Sequence, residues 1–274
     1  AFQTTIYMNK GDYDFVYSRR PNNKIHVYSF FTLHKKTIII FTKCKQFLEK
    51  SKLGVLLMQL NVQYRLLVPV EYKGLTQFAP YSQVEYGVSQ FYLDGNVTVS
   101  PKTVYLPQSE AMYKFSAQGK KLAIEEMPAL EHMQVLFGVR HCDTKAIACL
   151  DKVFLDEQFP DPQYKDKRDK TIVFALACNN PKATCFCESM GIDRAHADNS
   201  VADVQVYDLG DVYGFEAVSE KGKTCLDGLT GLNEGASRLP EQKPQSIAFD
   251  AANLPEKLKD MFDHPIWDEY AFKC

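Results

Sequence analysis

Long apolar runs are missing from this sequence of 274 residues. The longest near the start, around residues 30–41, is broken by His34, Lys35 and Lys36. It cannot supply the ~20 apolar residues of a membrane-spanning helix. A surplus of one charge is missing too: the net charge is −2, so no global basic field points to nucleic acid. Gly and Pro are scarce at 14 and 13 residues, which excludes collagen-like and low-complexity chains. Phosphate-binding motifs are absent. Gly228-Leu229-Thr230-Gly231 has neither the G-x-G-x-x-G pattern nor a Walker lysine.

What is present is ordinary for a globular protein: 45% hydrophobic and 24% charged residues, enough chain for one large or two modest domains. Charge is uneven. Residues 1–45 carry eight Lys or Arg against Asp12 and Asp14, while the remainder holds 24 basic and 32 acidic residues. The basic head has no recognisable motif and reads as an extension of unknown role, poorly ordered or foreign to the domain. The chain opens on Ala1 and stops on Cys274, after a promising helix, which reads as a fragment at both ends.

The pattern predicts an α/β fold with a mixed, partly parallel sheet and flanking helices. Residues 64–72 form a strand that Pro69 places at an edge or a bulge, and Lys73-Gly74 turns it into a partner over 75–78. Residues 46–57 have a helical rhythm, 96–99 look extended, and one or two helical turns are expected around Pro107. Residues 122–126 suit a short strand. Residues 134–140 and 171–177 are apolar on both faces, as in covered parallel strands. Between them, Ile147, Leu150, Val153 and Phe154 mark an amphipathic helix over 143–155. Strand, helix, strand argues a parallel βαβ unit. Further strands are expected at 204–207 and 212–217 across a turn at Gly210-Asp211, a loop at 228–235, and helices at 254–262 and from Ile266 onward.

Eight cysteines are present. A chain with enough apolar residues for a core does not need a disulfide framework. Cys44, Cys149 and Cys225 read as buried small hydrophobes. Cys178, Cys185 and Cys187 are spaced C-x6-C-x-C from the end of one buried strand, and Cys142 follows the end of another. Consecutive parallel strands deliver their C-terminal ends to one edge, where ligands bind. Four thiolates there match the ligand count of a cubane iron–sulfur cluster or of structural zinc. Arg140, His141 and Lys182 could offset cluster charge. A reactive or redox pair at Cys185 and Cys187 remains open, although a C-x-C bridge is strained, and so do inert cysteines.

Residues 137–147 (FGVRHCDTKAI) and 184–191 (TCFCESMG) occur with Lys73-Gly74-Leu75-Thr76, Ser100-Pro101-Lys102 and His264-Pro265-Ile266-Trp267-Asp268-Glu269. Together they resemble the family that contains the iron–sulfur subunit of anaerobic sulfite reductase and the beta subunit of cytosolic sulfhydrogenases. The resemblance covers about residues 46–274. It implies a 4Fe-4S dicluster protein in which an α/β region precedes a ferredoxin-like module. Cys274 would match the first cysteine of that module's C-x2-C-x2-C-type run. The implied organisation is a basic extension over 1–45, an α/β domain with a cysteine rim over 46–262, and the start of a linker over 263–274.

The function implied is electron transfer in a cytoplasmic, anaerobic oxidoreductase complex. Cys142, Cys178, Cys185 and Cys187 would hold one 4Fe-4S cluster. The partners would be a flavin-containing electron-input subunit and a catalytic sulfite reductase or hydrogenase subunit, with no nucleic acid and no membrane span. The chain departs from the family where His141 stands for a proline before Cys142. A docking scaffold, cofactor-free or zinc-bound, is the alternative from another class. His141-Cys142 as a nucleophile pair is disfavoured, because neighbours on an extended segment point opposite ways. His132, His196 and His264 read as surface or helix-end residues, and Asp203, Asp208 and Asp211 as turn carboxylates rather than a cation site. Trp267 reads as helix packing, or as a docking point for the ferredoxin module.

Overall fold

The computed structural model of the chain describes residues 5–10, 13–19, 25–31, 46–119, 121–197, 200–235, 243, 247–249 and 252–273. It divides into two compact units, Ala1–Ile40 and Phe41–Cys274. In the first unit, β1 (Thr5–Lys10), β2 (Tyr13–Arg19) and β3 (Ile25–Phe31) form an antiparallel sheet in that order. Cys44 lies outside the described residues.

The second unit opens with β4 (Gln46–Glu49), a short 3-10 turn and α1 (Leu53–Gln63). Next come β5 (Arg65–Tyr72), β6 (Leu75–Pro80), α2 (Ser82–Glu85) and β7 (Gln90–Phe91). A 3-10 turn at Pro101–Val104 leads into an exposed hairpin, β8 (Tyr113–Gln118) and β9 (Lys121–Glu126). The centre of the fold is β10 (Gln134–Arg140), α3 (His141–Phe154), α4 (Pro162–Asp169) and β11 (Thr171–Leu176). The chain continues with β12 (Val204–Asp208), β13 (Val212–Ala217), α5 (Glu220–Asp227) and β14 (Asn233–Glu234). Two exposed helices follow, α6 (Leu254–Asp260) and α7 (Ile266–Lys273). No helix among the described residues is long and apolar enough to cross a membrane.

The main sheet runs β14-β4-β13-β12-β11-β10-β5-β6, with β7 also paired to β5. Strands β5, β10, β11 and β12 are mutually parallel; β4, β6, β7, β13 and β14 meet their neighbours antiparallel. This is the expected mixed α/β sheet. Side-chain alternation explains the layers. Val135 and Phe137 of β10 join Ile172 and Phe174 of β11 in a core with α1 and α5. Leu136 and Val139 join Val173 in a second core, against Ile147 of α3 and Tyr164 of α4. Helices therefore cover both faces, and β10 and β11 are buried along their whole length.

Several expected elements differ. Residues 46–49 form a strand rather than the start of a helix, because they pair with β13 before α1 begins. Residues 96–99 are not a strand. The helical turn expected near Pro107 lies earlier, at Pro101–Val104, and Tyr113 already belongs to a strand. Within the loop expected at 228–235, Asn233 and Glu234 pair with β4.

Strand β5 is interior, not an edge. Proline is tolerated there because β10 pairs only with Arg65, Leu66 and Leu67 and then leaves. From there β7 takes its place, with the Tyr92 amide donating to the Pro69 carbonyl at 2.9 Å. The departure is built into β10. Gly138 has φ +86, and the register against β11 shifts between Phe137 and Val139. A β-carbon at Gly138 would sit 3.1 Å from Leu93 Cδ2 and 3.4 Å from Pro69 Cγ, so glycine lets the two segments pass.

Candidate functional site

The sheet splits at the C-terminal ends of its parallel strands. That is where Cys142 and Cys178 lie. Arg140 of β10 is paired in register with Leu176 of β11. Cys142 and Cys178 each follow their member of that pair by two residues, so the topology delivers both to one edge. Cys142 is the second residue of α3, whose first turn also holds Asp143. Asp143 accepts from Ser100 Oγ at 2.9 Å. The Cys178 amide donates to the Arg194 carbonyl at 2.9 Å, which draws the end of the cysteine loop back to β11.

The loop is held by its own backbone. The Cys185 amide donates to the Lys182 carbonyl at 3.0 Å, and the Cys187 carbonyl accepts from the Met190 and Ile192 amides, each at 3.0 Å. Gly191, with φ +66, closes the short 3-10 turn at Glu188–Met190. Cys178 is buried, and Cys142, Cys185 and Cys187 are half-buried.

Burial pushes the Cys142 thiol up to about 12. The Asp143 carboxylate and the Cys187 and Cys178 thiols push the same way. Both thiols are therefore within electrostatic range of Cys142. Cys185 lies in the same loop. Among the described residues no three His, Cys, Asp or Glu side chains are grouped in metal-ligating geometry. Cys274 lies outside the described residues.

The chemistry of the donor set fits a thiolate-bound metal centre. A neutral thiol at Cys142 is a poor nucleophile, whereas a bound cation reverses the balance and favours thiolate. Three buried guanidinium nitrogens in the neighbourhood are also unpartnered: Arg140 Nε, Arg194 Nε and Arg194 Nη1. Arg140 Nη1 donates to the Ala177 carbonyl at 2.9 Å, and Arg194 Nη2 pairs with Glu188 Oε1 at 2.5 Å. Buried unpaired donors are costly unless an acceptor meets them.

His141 does not offset charge as expected. It is 2% exposed, and burial holds its pKa down to about 4. Its Nδ1 faces the Asp193 carbonyl at 3.1 Å, so Nδ1 carries the proton, and Nε2 then accepts from Gln205 Nε2 at 2.9 Å. Both ring nitrogens are engaged away from Cys142. The nucleophile pair is therefore excluded by these contacts rather than by an extended backbone, since both residues open α3. Lys182 is exposed and donates to the Asn96 carbonyl at 3.0 Å.

Other expected residues fall elsewhere. Cys225 is buried in the core as expected, but Cys149 is exposed on α3. Asp203 is structural: it accepts from the Val173 amide at 2.9 Å and from Ser219 Oγ at 2.6 Å. Asp208 pairs with Lys50 at 2.7 Å. His132, His196 and His264 are exposed, and Trp267 Nε1 donates to the Met261 carbonyl. The residues that the sequence did not reveal are Asn96 and Arg194. Asn96 Nδ2 lies 3.4 Å from Cys142 Sγ. Asp94-Gly95-Asn96 signals a turn, but no local pattern says which sulfur it reaches.

No protein-family profile and no solved structure matches the chain. A curated relative does match. Sulfhydrogenase 2 subunit beta of Pyrococcus furiosus is 29% identical over 220 residues, covering 77% of this chain. The chain spans about three fifths of that relative's length, 62%. The chain is thus similar to a sulfhydrogenase beta subunit over most of its own length.

Proposed function

We propose that the chain is an electron-transfer subunit of an oxidoreductase complex of the hydrogenase or sulfite reductase type. Cys142, Cys178, Cys185 and Cys187 would hold a 4Fe-4S cluster at the C-terminal edge of the sheet. The observation that carries this reading is the equal placement of Cys142 and Cys178 beyond one register pair, with the Cys187 thiol in electrostatic range of Cys142. The similarity to a sulfhydrogenase beta subunit supports it independently.

When bound, such a cluster supplies one-electron transfer. The chain's own residues would do the rest. The four thiols anchor the group, and Arg140 and Arg194 bring buried N–H donors to a site of negative charge. Neutral His141 braces the start of α3 against Asp193 and Gln205. Partners would be a flavin-containing input subunit and a catalytic subunit, in a cytoplasmic setting. Cys274 would belong to a following ferredoxin-like module.

A second reading, a scaffold that is cofactor-free or holds zinc, is favoured by the exposed Phe262, Trp267, Tyr270 and Phe272 around α6 and α7. Such side chains suit a docking face. Replacing Cys185 with serine separates the two readings. In protein prepared anaerobically, C185S should lose most iron, sulfide and visible absorption. Iron and sulfide unchanged from the parent chain would contradict the assignment.

A further inference from the structure

We propose that residues 92–96 form a strap over the cysteine edge, and that Asn96 is a positioning residue that donates a hydrogen bond to Cys142 sulfur and raises the reduction potential of the bound group. The inference rests on the cluster reading above.

The strap is tied down along its length. The Tyr92 amide donates to the Pro69 carbonyl at 2.9 Å, and Arg140 Nη2 donates to the Leu93 carbonyl. The Asn96 carbonyl accepts from Lys182 Nζ at 3.0 Å, which joins the strap to the cysteine loop. Gly95 lies close under the lysine: a β-carbon there would lie 2.8 Å from Lys182 Cε and 3.2 Å from Tyr92 Oη, so a side chain would push the exposed lysine aside. Beyond Asn96, the Thr98 and Val99 amides both donate to the Thr76 carbonyl at 2.9 Å, and Ser100 Oγ reaches Asp143 at 2.9 Å. The strap thus meets the first turn of α3 at Cys142, and the segment that follows it meets the same turn at Asp143.

Its position has a structural cause. The split between β5 and β10, opened by Pro69 and Gly138, is the gap through which Leu93 passes. The chain then passes the end of β10, where Arg140 reaches the Leu93 carbonyl. The amide of Asn96 is carried to 3.4 Å from Cys142 Sγ, within hydrogen-bonding distance of sulfur. Hydrogen bonds to cluster sulfur are one of the means by which a protein sets potential. A donor stabilises the more negative, reduced state, so removing it lowers the potential.

The test uses the 274-residue chain prepared anaerobically, with Asn96→Leu and Asn96→Asp beside the parent. Iron and sulfide are assayed, and the midpoint potential is read by redox titration followed by electron paramagnetic resonance. N96L should keep its iron and shift to lower potential by about tenfold in the reduction equilibrium, ~59 mV for a one-electron couple. N96D keeps the size of the side chain but replaces the donor with a carboxylate, and should shift further in the same direction. If N96L loses iron, N96D decides alone. A parent chain with a cluster, and variants at the parent's potential, would overturn this inference and leave the cluster reading intact. A parent chain that takes up no iron would overturn both.

Discussion

The two ends of the same parallel strands are built in opposite ways. At their starts, charges are paired. Arg168 holds Asp151 through two hydrogen bonds of 2.8 Å, and Tyr164 donates to the same carboxylate at 2.6 Å. Lys167, on the same helix, is buried and pairs with Glu110 at 2.6 Å. Gln134 Nε2 ties β10 to Thr171 Oγ1 of β11 at 2.8 Å. At their ends, the Asp143 carboxylate and two further thiols press on the buried Cys142 thiol, and buried guanidinium nitrogens of Arg140 and Arg194 lack partners. One end pairs its charges, although Tyr105 Oη and Gln134 Oε1 there lack partners. The other is left unbalanced in a way that an anionic, metal-bearing group would resolve. That contrast is what local compromise at a functional site looks like.

The contrast can be broken most severely at the paired end. Asp151→Ala would strand the Arg168 guanidinium, whose side chain is only 10% exposed. Losing one partner of such a pair should cost about 3–5 kcal/mol in chemical denaturation. Iron content of the surviving folded protein should not change, because Asp151 lies toward the far end of α3 from Cys142.

A smaller effect comes from Tyr105, which is fully buried beside this network. Burial pushes its hydroxyl up to about 12 from an ordinary 10.0. The folded state therefore keeps a proton that the unfolded chain releases. Its contribution is complete below pH 10 and is lost as pH rises toward 12, by about 2 kcal/mol. Denaturation midpoints measured from about pH 8 to 11.5 should fall more steeply for the parent than for Tyr105→Phe. Equal slopes would show that this hydroxyl is not the linked group.

The smallest expected effect lies at the split. Gly138→Ala forces a side chain into a backbone with φ +86 and against Leu93. It should cost about 1–2 kcal/mol. It should also displace the strap, read as a change in potential if the cluster reading holds. A stability loss with no change at the cysteine edge would separate the strap from the site.

Much of the fold was legible because its strands are buried on both faces. The run at 134–140 needs no partner information to read as a covered strand, and Ile147 falls on the inner side of α3 as its spacing implies. Residues 46–49 read as helix because so short a stretch cannot distinguish a helical rhythm from an alternating one. Helix α4 had no apolar rhythm, since only Tyr164 and Lys167 face inward. Its signal was Asp161 as a cap, followed by Pro162 at the first turn. At the site, parallel topology alone predicts that Cys142 and Cys178 reach the same edge of the sheet. The tautomer of His141 is set by Asp193 and Gln205, which are 52 and 64 residues away, so no local pattern contains it. The contact from Asn96 is hidden for the same reason, 46 residues from its sulfur.

The most direct measurement is the iron, acid-labile sulfide and zinc content of the parent chain, produced and kept anaerobic. About four irons with matching sulfide per chain are expected for a cubane on the cysteine edge. About one zinc without sulfide, or folded protein with neither metal, would contradict the account and leave this domain a docking scaffold.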